Sequence, residues 1–322
     1  SSPNAQSIIQ DSFGNIWIGN YRGGIDFISH TQPLFNTITY KTEKYGHNCN
    51  KQVWGLWADN NRQIWLGGEG ELGIYKEGKE IEIIPLNQCR LNKQTHISVI
   101  HQDKHGDLWL GTHKHGVAIY HPDTKRITCI GDDKDESLDI LCFYEDTDGK
   151  IWIGTQSGLY SAYNRELTQE DKINRLLTNK GIRSILRDKN GKLWIGAKGL
   201  FLFDDKGQLF QELTTEQSFP IRSVNYLMED SRKRIWVGTN DGILVFRDAS
   251  HLEDYSHYGT KEGLQNTNVR AIQEDHDGTI WLSTNAGISR LDEKTKTFYN
   301  YNHYDGCLLY TSPSPRDGAT SR

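Results

Sequence analysis

The stretch "GKIWIGTQSG", Gly149 to Gly158, places Trp152 between two isoleucines and follows it with a glycine, a small polar residue and a second glycine. A tryptophan in this setting recurs along the 322 residues, at Trp17, Trp65, Trp109, Trp152, Trp194, Trp236 and Trp281. Successive tryptophans are 48, 44, 43, 42, 42 and 45 residues apart. A period of this size indicates a repeat architecture in which each unit is one supersecondary element.

Each unit contains more than the tryptophan motif. The seventh, Val269 to Tyr301, reads "VRAIQEDHDGTIWLSTNAGISRLDEKTKTFYNY", which is four apolar or aromatic runs separated by three turns. Its first turn, "EDHDG", is a hairpin signal because Gly accepts positive φ and Asp bonds the neighbouring backbone. Four short strands in a repeat of this length are typical of a propeller blade.

The tryptophan strand is apolar on both faces, since Ile151 and Ile153 alternate with Trp152. Both faces of such a strand must be covered, and in a propeller each blade lies between two others. We therefore predict that the tryptophans pack between blades. No stretch of ten or more residues shows a sustained helical period, which excludes a helical repeat.

The sequence predicts an all-β fold, a seven-bladed β-propeller of four-stranded antiparallel blades, over residues 1–304. Residues 305–322 break the pattern and are predicted to be a disordered or non-native tail. The first unit begins on its first strand and the seventh ends on its fourth, so no strand is shared between the two ends. Ring closure is then expected from packing of blade one on blade seven, or from parts of a longer protein.

Composition excludes several function classes. The 37 basic and 42 acidic residues are intermixed and give a net charge of −5, so no nucleic-acid partner is expected. No apolar run approaches the length of a membrane span, so no membrane contact is expected in this segment. Nothing in the sequence calls for a cofactor.

The stretch "EGLQNTNVRAIQEDHDGTIWLSTNAGISRLD", Glu262 to Asp292, resembles the two-component regulator propeller repeat, whose pattern is GL-x-N-x-V-x-x-I-x-E-D-x-x-G-x-I-W-I-G-T-x-x-G-L. Units four to seven fit it best. Unit two departs most, with Asn60–Arg62 in place of Asp-x-x-Gly and with the additional tryptophans Trp54 and Trp57.

The resemblance implies a function. Proteins of this kind are extracytoplasmic sensors of hybrid two-component systems in Bacteroidetes, and they detect oligosaccharides and signal to a histidine kinase. This segment would then be a periplasmic sensor propeller of an inner-membrane protein, without enzymatic activity of its own. Its expected partners are an oligosaccharide or other small ligand, other domains of the same receptor, and a second copy in a homodimer.

The strand order fixes where a ligand would bind. The Asp-x-x-Gly turns lie on one face of a propeller, and the loops after the tryptophan strand and between units lie on the other. The second set of loops differs from unit to unit, as binding loops on a constant scaffold do. Side chains that suit sugar hydroxyls and acidic groups make the candidate site: Tyr21, Arg22, His113, His115, Lys198, Asn240, Asp241 and Asn268.

Metal sites are not expected. "HQDKHGDLWLGTHKHG", His101 to Gly116, holds four histidines, but His113 and His115 straddle a loop and His105 belongs to the opposite face. The "DTDG" turn suggests a calcium loop, which needs Glu at its twelfth position; counted from Asp146, that position is Ser157.

Two alternative functions remain open at this point. One is a propeller enzyme of the lyase or glycosidase type, although no catalytic residues are identified; Glu69, Glu71 and Asp241 are carboxylates on the candidate face, but the sequence does not place them within reach of one another. The other is a protein-docking propeller, against which the chain lacks the Gly-His and Trp-Asp pairs of WD repeats.

Overall fold

The computed structural model describes residues 5–12, 14–21, 24–28, 35–38, 40–44, 47–50, 52–88, 91–130, 138–163, 166–169, 177, 180–204, 207–215, 219 and 221–301. The predicted tail, 305–322, and the predicted domain boundary at 304 lie outside these residues and stay predictions.

The first four blades follow one another along the chain. Blade 1 contains β1 (Ala5–Gln10), β2 (Ile16–Asn20), β3 (Gly24–Ile28) and β4 (Phe35–Ile38). A two-stranded ribbon follows, β5 (Lys41–Lys44) and β6 (His47–Asn50). Blade 2 contains β7 (Gly55–Ala58), β8 (Gln63–Gly67), β9 (Glu71–Lys76) and β10 (Glu82–Pro85). Blade 3 contains β11 (His96–Gln102), β12 (Leu108–His113), β13 (Val117–His121) and β14 (Arg126–Ile130). Blade 4 contains β15 (Ile140–Glu145), β16 (Ile151–Thr155), β17 (Leu159–Tyr163) and β18 (Glu166–Gln169).

The last three blades have the same composition. Blade 5 contains β19 (Ser184–Arg187), β20 (Leu193–Ala197), β21 (Gly199–Phe203) and β22 (Leu209–Leu213). Blade 6 contains β23 (Val224–Glu229), β24 (Ile235–Thr239), β25 (Gly242–Phe246) and β26 (Tyr255–Tyr258). A 3-10 turn (Thr260–Glu262) precedes blade 7, which contains β27 (Val269–Glu274), β28 (Ile280–Thr284), β29 (Gly287–Asp292) and β30 (Thr297–Tyr301).

The seven-bladed propeller predicted from the sequence is confirmed. Each blade is an antiparallel sheet of four strands consecutive in sequence. The first strands of successive blades contact one another, and β1 contacts both β7 and β27. The first strands therefore surround the axis, and the sequence did not predict the ribbon of β5 and β6.

The blade tryptophans lie between blades, as predicted. Each is at most 6% exposed and shares an apolar cluster with the tryptophan strand of the next blade. The seven interfaces pair Trp17 with Ile64 and Leu66, Trp65 with Leu108 and Leu110, Trp109 with Ile151 and Ile153, Trp152 with Leu193 and Ile195, Trp194 with Ile235 and Val237, Trp236 with Ile280 and Leu282, and Trp281 with Ile16 and Ile18.

Each blade indole also makes one hydrogen bond that recurs in all seven blades. Its Nε1 donates to the Oδ2 of the aspartate six residues earlier, at 2.7–3.1 Å: Asp11, Asp59, Asp103, Asp146, Asp188, Asp230 and Asp275. In most blades, the other carboxylate oxygen accepts backbone N–H groups of the same turn, as Asp188 Oδ1 does from Asn190 and Lys192. One side chain thus closes the hairpin and satisfies a buried indole, which would otherwise carry a desolvation cost.

The structure of blade 2 corrects the position that the sequence analysis gave to its Asp-x-x-Gly turn. Asp59, not Asn60, begins its turn, because Asp59 Oδ2 accepts from Trp65 Nε1 and Asp59 Oδ1 accepts from the backbone of Asn61 and Gln63. Arg62 takes the glycine position with φ 63. The turn therefore keeps its geometry although it has lost its glycine.

Replacement of Lys233 by glycine is expected to stabilise the fold. Lys233 occupies the glycine position of the blade 6 turn with φ 69, and a side chain there costs about 1 kcal/mol relative to glycine. We expect Lys233→Gly to raise the free energy of unfolding by about 0.5–1 kcal/mol in urea titrations. Lys189→Gly in the blade 5 turn is the control, since Lys189 does not have positive φ; a gain there as well would contradict the explanation.

Among the described strands none is shared between the two ends, and the ring closes by packing of blade 7 on blade 1. Trp281 and Ile288 lie in one cluster with Ile8, Ile16 and Ile18. With the Gln10 amide of β1 assigned the orientation that satisfies both of its atoms, its nitrogen donates to the backbone oxygen of Glu274 at 2.9 Å and its oxygen accepts from the N–H of His276 at 2.8 Å. Other interfaces carry related links, such as Glu274 with Ser231 and Glu229 with Lys189.

Candidate functional site

A channel with a volume of about 590 Å³ runs along the axis and is lined by the first strands of the blades. The antiparallel connections fix its two ends. The turns from first to second strand open at one end. The loops from second to third strand and between blades open at the other, which we call the mouth.

A β-bulge recurs at the mouth. In β1, β11, β15, β23 and β27 one extra residue interrupts the pairing with the tryptophan strand. Trp54 and Arg183 hold the corresponding place just before β7 and β19, and their N–H groups donate to Gly67 and Gly196. Bulges re-aim side chains and occur next to functional sites. The seven residues, here called the mouth positions, line the channel: Gln6, Trp54, Ser98, Leu141, Arg183, Asn225 and Arg270.

Aromatic side chains form a row across blades 1 to 3 at the mouth, which we call the aromatic row: Tyr21, Trp54, His96 and His113. The ring centroids of Tyr21 and Trp54 are 5.1 Å apart, those of Trp54 and His96 5.7 Å, and those of His96 and His113 6.4 Å. His113 Nδ1 lies 2.8 Å from Asp139 Oδ1, and His96 Nε2 lies 3.8 Å from Glu69 Oε1. These contacts orient the imidazoles beside the half-buried Trp54.

Amide and guanidinium groups form a second group across blades 5 to 7, which we call the arginine–amide cluster: Arg183, Asn225, Asn240, Asn268, Arg270 and Asn285. Asn225 is buried, and its Nδ2 donates to Asn240 Oδ1 at 2.8 Å, Asn268 Oδ1 at 3.2 Å and the backbone oxygen of Val269 at 2.8 Å. Its Oδ1 accepts from Arg183 Nη1 at 3.2 Å. Asn225 therefore fixes its neighbours in place.

The cluster is positively charged. Arg183 Nη1 also donates to Ser223 Oγ, and Arg270 Nε donates to Asn285 Oδ1 at 3.0 Å. Within the described residues, no carboxylate forms an ion pair with either arginine. Burial and the nearby charge of Arg183 lower the pKa of Arg270 below its ordinary value. The two guanidinium groups thus repel each other at the channel wall.

Further along the channel, His101 and Glu145 face each other beside Trp57. His101 Nε2 lies 3.4 Å from Glu145 Oε2, and the rings of Trp57 and His101 meet edge to face at 5.0 Å. Burial lowers the pKa of His101, and the carboxylate of Glu145 opposes this shift. The indoles of Trp54 and Trp57 are buried at Nε1 without an acceptor in the described part of the chain. They therefore differ from the seven blade tryptophans.

The structure locates the predicted site residues individually. Tyr21 and His113 belong to the aromatic row, and Asn240 and Asn268 belong to the arginine–amide cluster. His115 Nδ1 lies 3.0 Å from the backbone oxygen of His113, while Lys198 and Asp241 are exposed on blades 5 and 6. Arg22 lies outside the described residues. Whether these side chains bind a ligand stays a prediction.

Four residues of the aromatic row and the arginine–amide cluster were not predicted: Trp54 as a contact residue, Arg183, Asn225 and Arg270. A signal for them exists, because each mouth position lies eleven residues before a blade tryptophan. The flanking position twelve residues before each tryptophan is always Ala, Val or Ile, while the mouth position is Gln, Trp, Ser, Leu, Arg, Asn or Arg. A variable position beside a constant apolar one marks a side chain that leaves the scaffold.

Two of the three carboxylates named on the candidate face have partners of their own. Glu71 accepts a hydrogen bond from Tyr40, Glu69 faces His96, and Asp241 lies on blade 6. Among the described residues, no three His, Cys, Asp or Glu side chains are grouped to hold a metal ion. The same part of the chain contains no helix with the length and hydrophobicity of a membrane span.

Comparisons with known proteins agree with the repeat pattern. A family model described as two component regulator propeller matches residues 1–22, 93–114, 134–157, 176–199, 218–241 and 263–286. These matches fall on six blades and omit blade 2, whose sequence departs most from the pattern. No curated protein matches the chain.

Solved structures give the same fold. The extracellular domain of the putative hybrid two component system BT3049 from B. thetaiotaomicron is 35% identical, with a TM-score of 0.74 over 94% of this chain and 41% of that one. The corresponding domain of BT4673 from the same organism is 20% identical, with a TM-score of 0.69 over 94% and 39%. A streptogramin B lyase is 13% identical, with a TM-score of 0.68 over 89% and 92%. The likenesses to the BT4673 domain and to the lyase show the fold alone. This chain spans about two-fifths of the length of the BT3049 and BT4673 chains.

Proposed function

Since this chain belongs to the two-component regulator propeller family, we propose that it is the ligand-sensing propeller of a hybrid two-component regulator. It binds a carbohydrate-derived ligand at the channel mouth. Binding is passed on through a rearrangement of domains or subunits to a histidine kinase elsewhere in the same receptor. The sensor lies in the periplasm, as the likeness to the extracellular domain of BT3049 supports.

One observation carries the proposal: the aromatic row and the arginine–amide cluster converge on one mouth. A sugar ring presents an apolar face that stacks on an indole or phenol. It also presents hydroxyl pairs that planar amides and guanidinium groups bind through two hydrogen bonds. Trp54 and Tyr21 supply the first kind of surface, and Asn240, Asn268 and Arg270 supply the second. The mouth therefore suits a carbohydrate better than a purely apolar ligand.

An enzymatic function has less support. The lyase neighbour is 13% identical and informs only the fold, and two of the candidate carboxylates, Glu71 and Glu69, are engaged by Tyr40 and His96. A glycosidase requires two carboxyl groups that flank the scissile bond. Sensor propellers, by contrast, include the relative at 35% identity.

The proposal predicts saturable oligosaccharide binding that depends on Trp54. A glycan array with the whole chain identifies ligands, calorimetry gives their affinities, and chromatography of the recovered glycan detects any turnover. We expect binding without cleavage, weakened about tenfold in Trp54→Ala by loss of ring stacking.

Tyr163→Ala is the control, because this exposed tyrosine lies on blade 4 outside the mouth. Cleavage of a glycan would favour the enzyme hypothesis, and binding of a protein alone would favour a docking propeller. A variant pattern in which Tyr163→Ala weakens binding and Trp54→Ala does not would exclude the mouth as the site.

A further inference from the structure

Two arginines occupy mouth positions on either side of Asn225. Arg183 precedes β19 and Arg270 lies in β27, while Asn225 lies in β23 between them. Asn225 accepts from Arg183 and binds the backbone oxygen of Val269, the residue before Arg270. The bulges of β23 and β27 bring these side chains to one part of the channel wall.

Arg183 and Arg270 carry more N–H donors than the described residues around them supply acceptors. Arg270 Nε bonds Asn285, and in the described part of the chain its two Nη groups have no acceptor. Among the acidic residues at the mouth, Glu69 and Asp139 lie beside the histidines of the aromatic row, Glu71 accepts from Tyr40, and Asp241 is exposed on blade 6. The arginine–amide cluster therefore holds two like charges, and no described carboxylate lies within ion-pair distance of either.

The two neighbouring positive charges make the channel wall unfavourable without a counter-charge and favour the binding of an anion there. Placing like charges near each other costs free energy, and the pKa of Arg270 is lowered first by burial and second by the charge of Arg183. Guanidinium groups bind carboxylate and sulfate oxygens through paired, charge-assisted hydrogen bonds. An anion between the two arginines would use the spare donors and remove the repulsion.

Resting on the proposed function, we infer that the oligosaccharide sensed here is acidic, with a carboxylate or sulfate group held between Arg183 and Arg270. The sugar ring that carries or adjoins this group faces Trp54. The arginine pair then selects acidic from neutral oligosaccharides, because a neutral ligand leaves both charges uncompensated.

Calorimetry with three classes of probe tests the inference. The classes are neutral galacto- and gluco-oligosaccharides, oligogalacturonates with carboxylates, and carrageenan oligosaccharides with sulfate but no carboxylate. We expect an acidic class to bind at least about tenfold tighter than neutral probes of equal length. Binding of the uronates alone or of the sulfated probes alone supports the inference and identifies the anionic group.

Single-residue variants test whether the two arginines cause the preference for acidic probes. Arg183→Gln and Arg270→Gln are each expected to weaken acidic probes about 10- to 100-fold and neutral probes less than about threefold, as hydrogen bonds to charged groups predict. Arg270→Lys keeps the charge and should retain part of the affinity. Arg126→Gln removes one exposed positive charge on β14, away from the mouth, and should leave binding unchanged.

The outcomes separate this inference from the function on which it rests. Tighter binding of neutral probes, or an equal loss for neutral and acidic probes in the arginine variants, overturns the inference and leaves the sensor function standing. Failure of all three classes to bind contradicts the proposed function itself. Thermal unfolding of each variant checks that the fold is intact, and we expect only a small change, because the relief of repulsion offsets the lost hydrogen bonds to Ser223, Asn225 or Asn285.

Discussion

Asp188→Ala is expected to lower the free energy of unfolding by about 3–5 kcal/mol, since it removes three hydrogen bonds to a buried charged group. Asp188 Oδ2 accepts from Trp194 Nε1 at 2.8 Å, and Oδ1 accepts from the backbone of Asn190 and Lys192. Trp194 is fully buried, so its indole N–H cannot turn to water. The turn N–H groups lose their acceptor at the same time.

Urea unfolding followed by circular dichroism measures this loss. Asp188→Asn keeps one acceptor oxygen and should fall between the wild-type protein and the alanine variant. Asp123→Ala, at an exposed turn of blade 3, should change stability by less than about 0.5 kcal/mol. A loss below about 1 kcal/mol for Asp188→Ala would mean that the tryptophan–aspartate pair is not a main support of the blade.

The second large effect is expected at the interface that closes the ring. Trp281→Ala should cost about 3–5 kcal/mol through the cavity it leaves between blades 7 and 1. Trp281 stacks on Tyr301 with centroids 5.6 Å apart and packs against Ile16 and Ile18. Unlike the other six interfaces, this one joins the two ends of the propeller. Its opening therefore releases more chain entropy.

Trp152→Ala is the matched variant, because Trp152 has the same 6% exposure but lies between blades that are consecutive in sequence. Hydrogen exchange should show lost protection in β1 and β28 for Trp281→Ala, and no comparable opening of β1 for Trp152→Ala. Equal exchange of β1 in the two variants would show that closure does not depend on this interface more than on any other.

The repeat was predictable from the sequence because one strand of each blade is buried on both faces. Such a strand must be apolar throughout, and its tryptophan recurs wherever a neighbouring blade covers it. The number of blades, the strand order and the packing of Trp152 against the next blade all followed from this pattern.

The sequence did not reveal the tryptophan–aspartate hydrogen bond. Asp188 already has a sufficient explanation as a turn residue, and Trp194 has one as an apolar residue. Their contact depends on the hairpin register, which brings residues six apart to the same edge of the blade.

The candidate site was predictable only in part. Tyr21, His113, Asn240 and Asn268 were found because their loops follow from strand order. Asn225 and Arg270 were missed because the bulges that direct them to the channel are shifts of strand pairing by one residue. Trp54 and Arg183 were missed because they hold the corresponding place just before β7 and β19. Their convergence also depends on the closed ring, which brings blades far apart in sequence around one axis.

A crystal structure of the chain with its tightest-binding oligosaccharide is the most direct test of the proposed sensor site. We expect the ligand at the channel mouth, with a sugar ring on Trp54 and hydrogen bonds to Asn240, Asn268 or Arg270. A ligand bound at the opposite face among the Asp-x-x-Gly turns, or on the outer strands of the blades, would contradict it.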